Sequence, residues 1–232
     1  VADLFANALY DSLYPHASTA ILYRGIVRFP LVWPWRRRYP AWCRRLKGQG
    51  LLPLPVFGGT DAYPAHRRVR WLFSSWMNYL RECDYVQVGN QPDVDASDSW
   101  TMEPAELSRL LAYARRAYPW KILVTGALVT GQPDYAAEIV LPDENTILGL
   151  NFYAPDPGLI SVDPWQLFVG NDPSRIWITE TGMPWENQQE RADYYVGVLD
   201  RCYQLGIGAC CLFGYQHEVP ELGLLNPDGS PT

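Results

Sequence analysis

Five polar or charged side chains stand at or near the ends of short apolar segments in this 232-residue chain. Glu180 lies in IWITETG, Asn90 and Gln91 follow YVQVG, Arg28 lies in GIVRFPL, and Tyr153 ends TILGLNFY. An ionised carboxylate at the end of a buried strand is costly unless a partner or a reaction uses it. We therefore expect Glu180 either to pair with Arg28 or to take part in catalysis. Gln91 differs in kind, because an amide forms hydrogen bonds but does not titrate near neutral pH.

The elements that carry these residues alternate regularly between strand and helix patterns. Short and almost continuously apolar runs predict strands buried on both faces, at residues 25–31, 51–57, 85–89, 121–125, 146–153, 175–179 and 207–213. Helical periodicity is present at 39–47, 66–81, 103–118 and 189–205. Strands that alternate with helices, without a break in composition, predict a parallel sheet.

The fold that best fits this alternation is α/β, a compact (β/α)8 TIM barrel that forms one domain over residues 1–232. The chain is short for this fold, and the first repeat must lie in residues 1–24. There, 3–13 has a helical pattern and Thr19–Tyr23 is a possible strand, so we expect an irregular or incomplete first repeat. An open doubly wound sheet is the alternative, although no glycine-rich phosphate loop follows any predicted strand.

Charge and composition argue against several classes of partner. The net charge is −6 and the pI about 5.1, which does not favour nucleic acid. No apolar run approaches 18 residues, so no membrane span is expected. The five cysteines are odd in number and contain no C-x-x-C pair, which argues against a disulfide framework or a zinc site. We expect a monomer without metal or cofactor; the compartment, secreted or cytoplasmic, stays open.

The polar residues together resemble the clan A retaining glycoside hydrolases, which are TIM-barrel enzymes with two catalytic glutamates. TETG around Glu180 resembles the nucleophile strand of that clan. VGNQP resembles its Asn-Glu-Pro motif on the fourth strand, with Gln91 in place of the glutamate. Arg28 resembles the arginine near the nucleophile, and Tyr153 the tyrosine of the sixth strand. The resemblance covers roughly residues 25–217.

This resemblance implies hydrolysis of a β-glycoside by double displacement. Glu180 would be the nucleophile, held ionised and oriented by Arg28 and Tyr153, and Asn90 would bond the 2-hydroxyl of the sugar. A retaining site also needs a second carboxyl about 5–5.5 Å away that protonates the leaving oxygen and then deprotonates water. Gln91 occupies that position, matches a protonated carboxyl in shape, and cannot transfer a proton.

Three interpretations of Gln91 remain open. The glutamine was introduced into an active parent to give an inactive form that traps a ligand; or the chain is a natural, non-catalytic, sugar-binding relative; or another group supplies the acid. The candidates for that group are Asp93, Glu186 and Glu218.

The short loops predict an open cleft, and therefore an enzyme that acts within a polysaccharide, either a glucan or a mannan. Flat aromatic rings suit the apolar faces of sugars. Candidate stacking platforms are Trp33, Trp35, Trp100, Trp185 and Tyr215, and His217 is a candidate subsite contact. Linkage, β-1,3 or β-1,4, is not decided. A lectin-like binding barrel is the competing class of function.

Overall fold

The computed structural model describes residues 21–23, 25–31, 33, 36–58, 69–93, 101–129, 133–182 and 188–212. Within these ranges the strands are β1 (Ile21–Tyr23), β2 (Ile26–Pro30), β3 (Leu52–Phe57), β4 (Tyr85–Asn90), β5 (Ile122–Val129), β6 (Leu148–Phe152), β7 (Ile176–Thr181) and β8 (Ala209–Leu212). They form one sheet in the order β1-β8-β7-β6-β5-β4-β3-β2.

Helices separate successive parallel strands. Four of them lie in the segments predicted at 39–47, 66–81, 103–118 and 189–205, whereas the two short helices between residues 133 and 169 were not predicted. The helices are α1 (Tyr39–Gly48), α2 (Val69–Met77), α3 (Pro104–Ala117), α4 (Pro133–Ala137), α5 (Gln166–Val169) and α6 (Gln188–Gln204), with short 3-10 turns at Pro157–Leu159, Asp163–Trp165 and Pro173–Arg175. Proline in the first turn begins α1 and α3, where the missing N–H is not needed. None of the described helices is long and apolar enough to cross a membrane.

The first repeat is irregular, as predicted. Strands β2 to β8 are parallel neighbours, whereas β1 runs antiparallel to β8, with Leu22 opposite Cys211. β1 also lies close to β2, so the sheet nearly closes on itself. Only residues 24 and 25 separate β1 from β2, and Gly25 takes a φ of +68° that permits so short a connection. The helix predicted at 3–13 lies outside the described residues, as do Thr19 and Ala20.

β5 continues to Val129 and does not end at Thr125–Gly126, where the sequence pattern placed its end. Gly126 lies inside the strand, and this position requires a glycine because the backbone at the end of β4 passes very close to it. A Cβ atom on Gly126 would lie 2.9 Å from the carbonyl oxygen of Val88 and 3.0 Å from the ring of Pro92. The glycine therefore allows the end of β4 to pack against β5.

The barrel interior has an apolar floor beneath a polar layer. The floor is a separate cluster of buried side chains: Ile26, Leu54, Val124, Ile147, Trp177 and Ala209. Tyr85 packs on it, with its ring 5.2 Å from that of Trp177. Side chains two positions apart on a strand share a face. Arg28, after Ile26, and Gln87, after Tyr85, therefore lie above this floor, toward the carboxyl ends of the strands.

Candidate active site

Glu180 lies at the end of β7 with only 6% of its surface exposed, and both of its carboxylate oxygens have partners. Arg28 Nη1 donates to Oε2 at 2.8 Å, and the hydroxyl of Tyr153 donates to Oε1. The ion pair expected between Arg28 and Glu180 is therefore present, and Arg28 is equally buried. Tyr153, just after β6, remains 38% exposed, so the Glu180 carboxylate lies between the buried interior and an open side.

Arg28 connects three strands through its guanidinium. Besides the bond to Glu180, its Nε donates to Gln87 Oε1 at 2.8 Å and its Nη2 donates to Asn90 Oδ1 at 2.7 Å. Gln87 is fully buried, and its own amide donates to the carbonyl of Gly89 at 2.9 Å. A guanidinium is a planar set of donors, so acceptors in different directions fix its orientation. We call Arg28, Gln87, Asn90 and Glu180 the arginine cluster.

Gln87 was not among the residues that the sequence indicated. Its signal was present, because a long polar side chain stands between two apolar ones in the buried run Tyr85-Val86-Gln87-Val88. A buried amide must find hydrogen-bond partners, and Arg28 is the partner for its oxygen.

Gln91, the residue after Asn90, has an uncommon backbone conformation. Its φ is +46°, in the left-handed region that non-glycine residues rarely adopt, and its N–H donates to the carbonyl of Ala127 on β5 at 3.1 Å. The conformation costs about 1–2 kcal/mol for a residue with a Cβ. Such strain is concentrated at functional positions of proteins. The structure thus places a strained, half-buried residue directly beside Asn90.

Asp93, the described one of the three alternative acids, is held by the backbone of β5. Its Oδ2 accepts the N–H of Val129 at 2.9 Å, while Oδ1 is buried with no hydrogen-bond partner among the described residues. Burial raises the pKa of this carboxyl above its usual value. Glu186 and Glu218 lie outside the described residues.

Two further buried groups adjoin Glu180 and were not indicated by the sequence. Asn151, opposite Glu180 in the β6–β7 pairing, accepts a bond from Thr179 Oγ1 at 3.0 Å, and its Nδ2 has no partner among the described residues. Burial raises the pKa of the Cys211 thiol to about 12; the charge of Arg28 acts in the opposite direction, and that of Glu180 adds to the rise. Cys211 is therefore a neutral thiol beside the ion pair.

The predicted aromatic platforms are only partly described. Trp33 is half-buried; its ring meets Trp76 edge-on at 5.2 Å, and the guanidinium of Arg36 lies 4.6 Å from its centre. Trp33 thus packs against the core, and a platform role for it stays a prediction. The other candidates, Trp35, Trp100, Trp185, Tyr215 and His217, lie outside the described residues. In the part of the chain that is described, no group of three or more His, Cys, Asp or Glu residues could hold a metal ion.

Several solved structures have a similar fold over most of the chain. A β-glycosidase from Pyrococcus horikoshii superposes with a TM-score of 0.66 at 12% identity, covering 100% of this chain and 82% of that one. The chain has the TIM-barrel fold. This TIM barrel also matches a GH128 (subgroup VI) exo-β-1,3-glucanase from Aureobasidium namibiae, with a TM-score of 0.58, 16% identity and coverage of 90% and 94%.

A third TIM barrel of similar shape is the Thermomonospora fusca β-mannanase in its mannohexaose complex. It matches with a TM-score of 0.57 at 17% identity, over 88% of this chain and 75% of that one. No protein-family model matches the chain. No curated protein is significantly similar to it in sequence. At these identities the likeness concerns the fold, and the chemistry has to be argued from the site.

Proposed function

We propose that this chain is a retaining glycoside hydrolase that cleaves within a β-linked glucan or mannan, as a monomeric single domain, and that Gln91 makes it slow. The observation that carries the proposal is the environment of Glu180. A carboxylate is buried near the carboxyl ends of the barrel strands, paired with Arg28 and bonded by Tyr153. Active sites of TIM barrels lie at that face.

Glu180 is the proposed nucleophile. Arg28 Nη1 and the Tyr153 hydroxyl donate to its two oxygens, and these two donors fix the plane of the carboxylate. A carboxylate held in this way attacks the anomeric carbon with little reorganisation, and a covalent glycosyl intermediate follows. The bond from Tyr153 is released or weakened as the carboxylate oxygen becomes part of the ester.

Asn90 is the proposed contact for the 2-hydroxyl of the sugar. Its Oδ1 accepts from Arg28, so its NH2 group is turned away from the guanidinium and is available to donate. In retaining enzymes, a hydrogen bond to that hydroxyl strengthens at the transition state. Arg28 thus sets the orientation of both Glu180 and Asn90.

Gln91 is the proposed acid/base position. Without a titratable group there, departure of a sugar alcohol lacks its proton and attack of water lacks its base. The absence of general acid–base catalysis costs about 10²–10⁴-fold in rate. An aryl leaving group that departs without a proton reduces this penalty in the first step but not in the second.

The decisive experiment restores the carboxyl. Gln91→Glu is assayed beside the unmodified chain on β-1,3-glucan, β-1,4-glucan and β-1,4-mannan, the first and last chosen because the neighbours named above act on such polymers. We expect hydrolysis of at least one to rise by about 10²–10⁴-fold. Gln91→Asn is the matched control and should give no rise. Absence of activity on every polymer would rule out the catalytic proposal.

The nucleophile is tested separately. In the Gln91→Glu background, Glu180→Gln keeps the size of the side chain, removes the attacking charge and leaves one oxygen to accept from Arg28 or Tyr153. We expect activity to disappear. In the unmodified chain, azide with an aryl β-glycoside should give a β-glycosyl azide, because azide attacks without a general base. A product of inverted, α configuration would contradict double displacement.

The second candidate function is a non-catalytic barrel that binds sugars. The amide at position 91 favours it, since Gln91 preserves the shape of a protonated carboxyl without its chemistry. This function predicts measurable affinity for an oligosaccharide and no gain of hydrolysis in Gln91→Glu. Isothermal titration with cello-, laminari- and manno-oligosaccharides, run beside the hydrolysis assay, separates the two.

A further inference from the structure

Two cysteines far apart in sequence meet inside the core. The Sγ atoms of Cys43, in α1, and Cys83, just before β4, lie 3.0 Å apart, and neither residue is exposed. Both are free thiols, as are the other three cysteines. Sulfur atoms in a disulfide are about 2.05 Å apart, so a movement of about 1 Å would bring this pair to bonding distance.

We propose that Cys43 and Cys83 form a disulfide bond when the chain folds in an oxidising medium. The odd number of cysteines and their wide spacing concealed this pair at the level of sequence. The bond is a site of covalent modification that is independent of the proposed glycosidase chemistry.

The surroundings hold Cys83 in place for this bond. Lys121 Nζ, which is buried, donates to the carbonyl oxygens of Cys83 and of Leu80, the latter at 2.6 Å. These bonds pin the segment that precedes β4. Leu46, in the same helix as Cys43, belongs to the same buried cluster, so both sides of the pair are anchored by packing.

The same surroundings indicate when the bond forms. The contact with Cys83, followed by burial, raises the pKa of the Cys43 thiol far above its usual value, and the nearby Lys121 charge does not offset this. Only a thiolate attacks a disulfide. The Cys43 thiol of the folded protein is therefore slow to react. The bond forms during folding, and burial of both cysteines afterwards shields it from reductants.

The reaction needs an oxidant, and a small disulfide such as oxidised glutathione suffices. One cysteine thiolate attacks the glutathione disulfide and releases one glutathione thiolate. The second cysteine thiolate then attacks the mixed disulfide and releases the other. Two electrons pass from the cysteines to glutathione, and the two protons of the cysteine thiols end on the two molecules of reduced glutathione.

The bond would join two units that carry three of the four residues of the arginine cluster. α1 follows β2, which holds Arg28, and Cys83 precedes β4, which holds Gln87 and Asn90. Closing this chain segment reduces the entropy of the unfolded state. We expect the oxidised protein to melt roughly 5–15 °C above the reduced one.

Peptide mapping of the unmodified chain tests the proposal. The denatured, reduced protein is refolded in reduced and oxidised glutathione, alkylated in denaturant, and digested with trypsin without reductant. Cys43 then lies in the peptide 39–44 and Cys83 in the peptide 82–109, whereas Cys202, Cys210 and Cys211 share the peptide 202–232. We expect one ion whose mass is the sum of the first two peptides minus two hydrogens, replaced by two alkylated peptides after reduction.

Variants give the matched controls. Cys43→Ser and Cys43→Ala should each remove the linked ion and the effect of reductant on the melting temperature. Cys202→Ser should preserve both. If both cysteines are recovered alkylated on separate peptides from the refolded native protein, or if either is linked to glutathione or to the peptide 202–232, the proposal is wrong.

Discussion

Gln87 gives the sharpest test of how the site is held together. Replacing it with methionine keeps the length of the side chain and removes both of its hydrogen bonds. Nε of Arg28, itself 6% exposed, then loses its acceptor in the barrel interior, and the Gly89 carbonyl loses a donor. A hydrogen bond to a charged group contributes about 1.5–3 kcal/mol, and a neutral one about 1 kcal/mol.

From these values, we expect Gln87→Met to lower the free energy of unfolding by about 2–4 kcal/mol. For a chain of this size, that moves the midpoint of urea unfolding down by roughly 1–2 M. The effect on activity is read in the Gln91→Glu background. Misplacement of Arg28 should lower kcat by about 10–100-fold, because small errors in position are costly in catalysis.

Thr125→Val is the matched control. It removes another buried hydrogen bond of the barrel wall, from the Gly149 N–H to Thr125 Oγ1 at 2.9 Å, away from Arg28. It should lower stability by about 1–2 kcal/mol and leave kcat unchanged. If Gln87→Met unfolds within about 0.5 kcal/mol of the parent and keeps its kcat, Gln87 does not hold Arg28, and our account of the arginine cluster is refuted.

Three other predictions concern the same region. Tyr153→Phe, in the Gln91→Glu background, removes the hydroxyl that donates to Glu180. It should lower kcat by about 10–100-fold, which corresponds to the loss of one hydrogen bond to a charged group; an unchanged kcat would argue against a catalytic role for that contact. Asp93→Asn keeps an acceptor for the Val129 N–H. Because folding raises the pKa of Asp93, the free energy of unfolding of the unmodified chain should fall relative to that of this variant as the pH rises from about 4 toward the folded pKa. Urea unfolding between pH 4 and pH 7 measures this difference, and parallel pH curves for the two proteins would contradict it. Gly126→Ala should cost about 1–3 kcal/mol through overpacking against Val88 and Pro92, whereas Gly48→Ala, with open space at its Cβ, should be neutral; equal melting temperatures for the two variants would show that β4 yields easily.

The strands and helices were predictable because their signals are local. The seven predicted runs, such as the one that contains Leu52–Phe57, are almost continuously apolar, and α3 carries an acidic residue in its first turn and basic residues in its last. The length of β5 was not predictable, because Gly126 usually weakens a strand and here serves a close approach of β4. That approach depends on register between strands, which no single segment of the sequence contains.

Glu180, Arg28 and Asn90 could be proposed from their positions at strand ends, and the structure brings them together. Gln87 and Asn151 were missed, because their importance comes from which partner faces them across the barrel. The pairing of Cys43 with Cys83 was missed for the same reason. Contacts between distant segments follow from the closed sheet, which is known only once the strand order is known.

The arginine cluster also bears on how substitutions in this barrel combine. The described bonds of Arg28 go to Gln87, Asn90 and Glu180, so a change at any one of these residues leaves a buried group without its partner and alters the effect of a change at the next. Position 91 takes no part in those bonds. A chain can therefore exchange glutamate for glutamine there with little loss of folding free energy. Replacing a residue of the arginine cluster would instead destabilise the fold, even in a chain that has no catalytic activity to lose. Loss of activity through position 91 would then be reversible by a single codon change, long after selection for catalysis had ended.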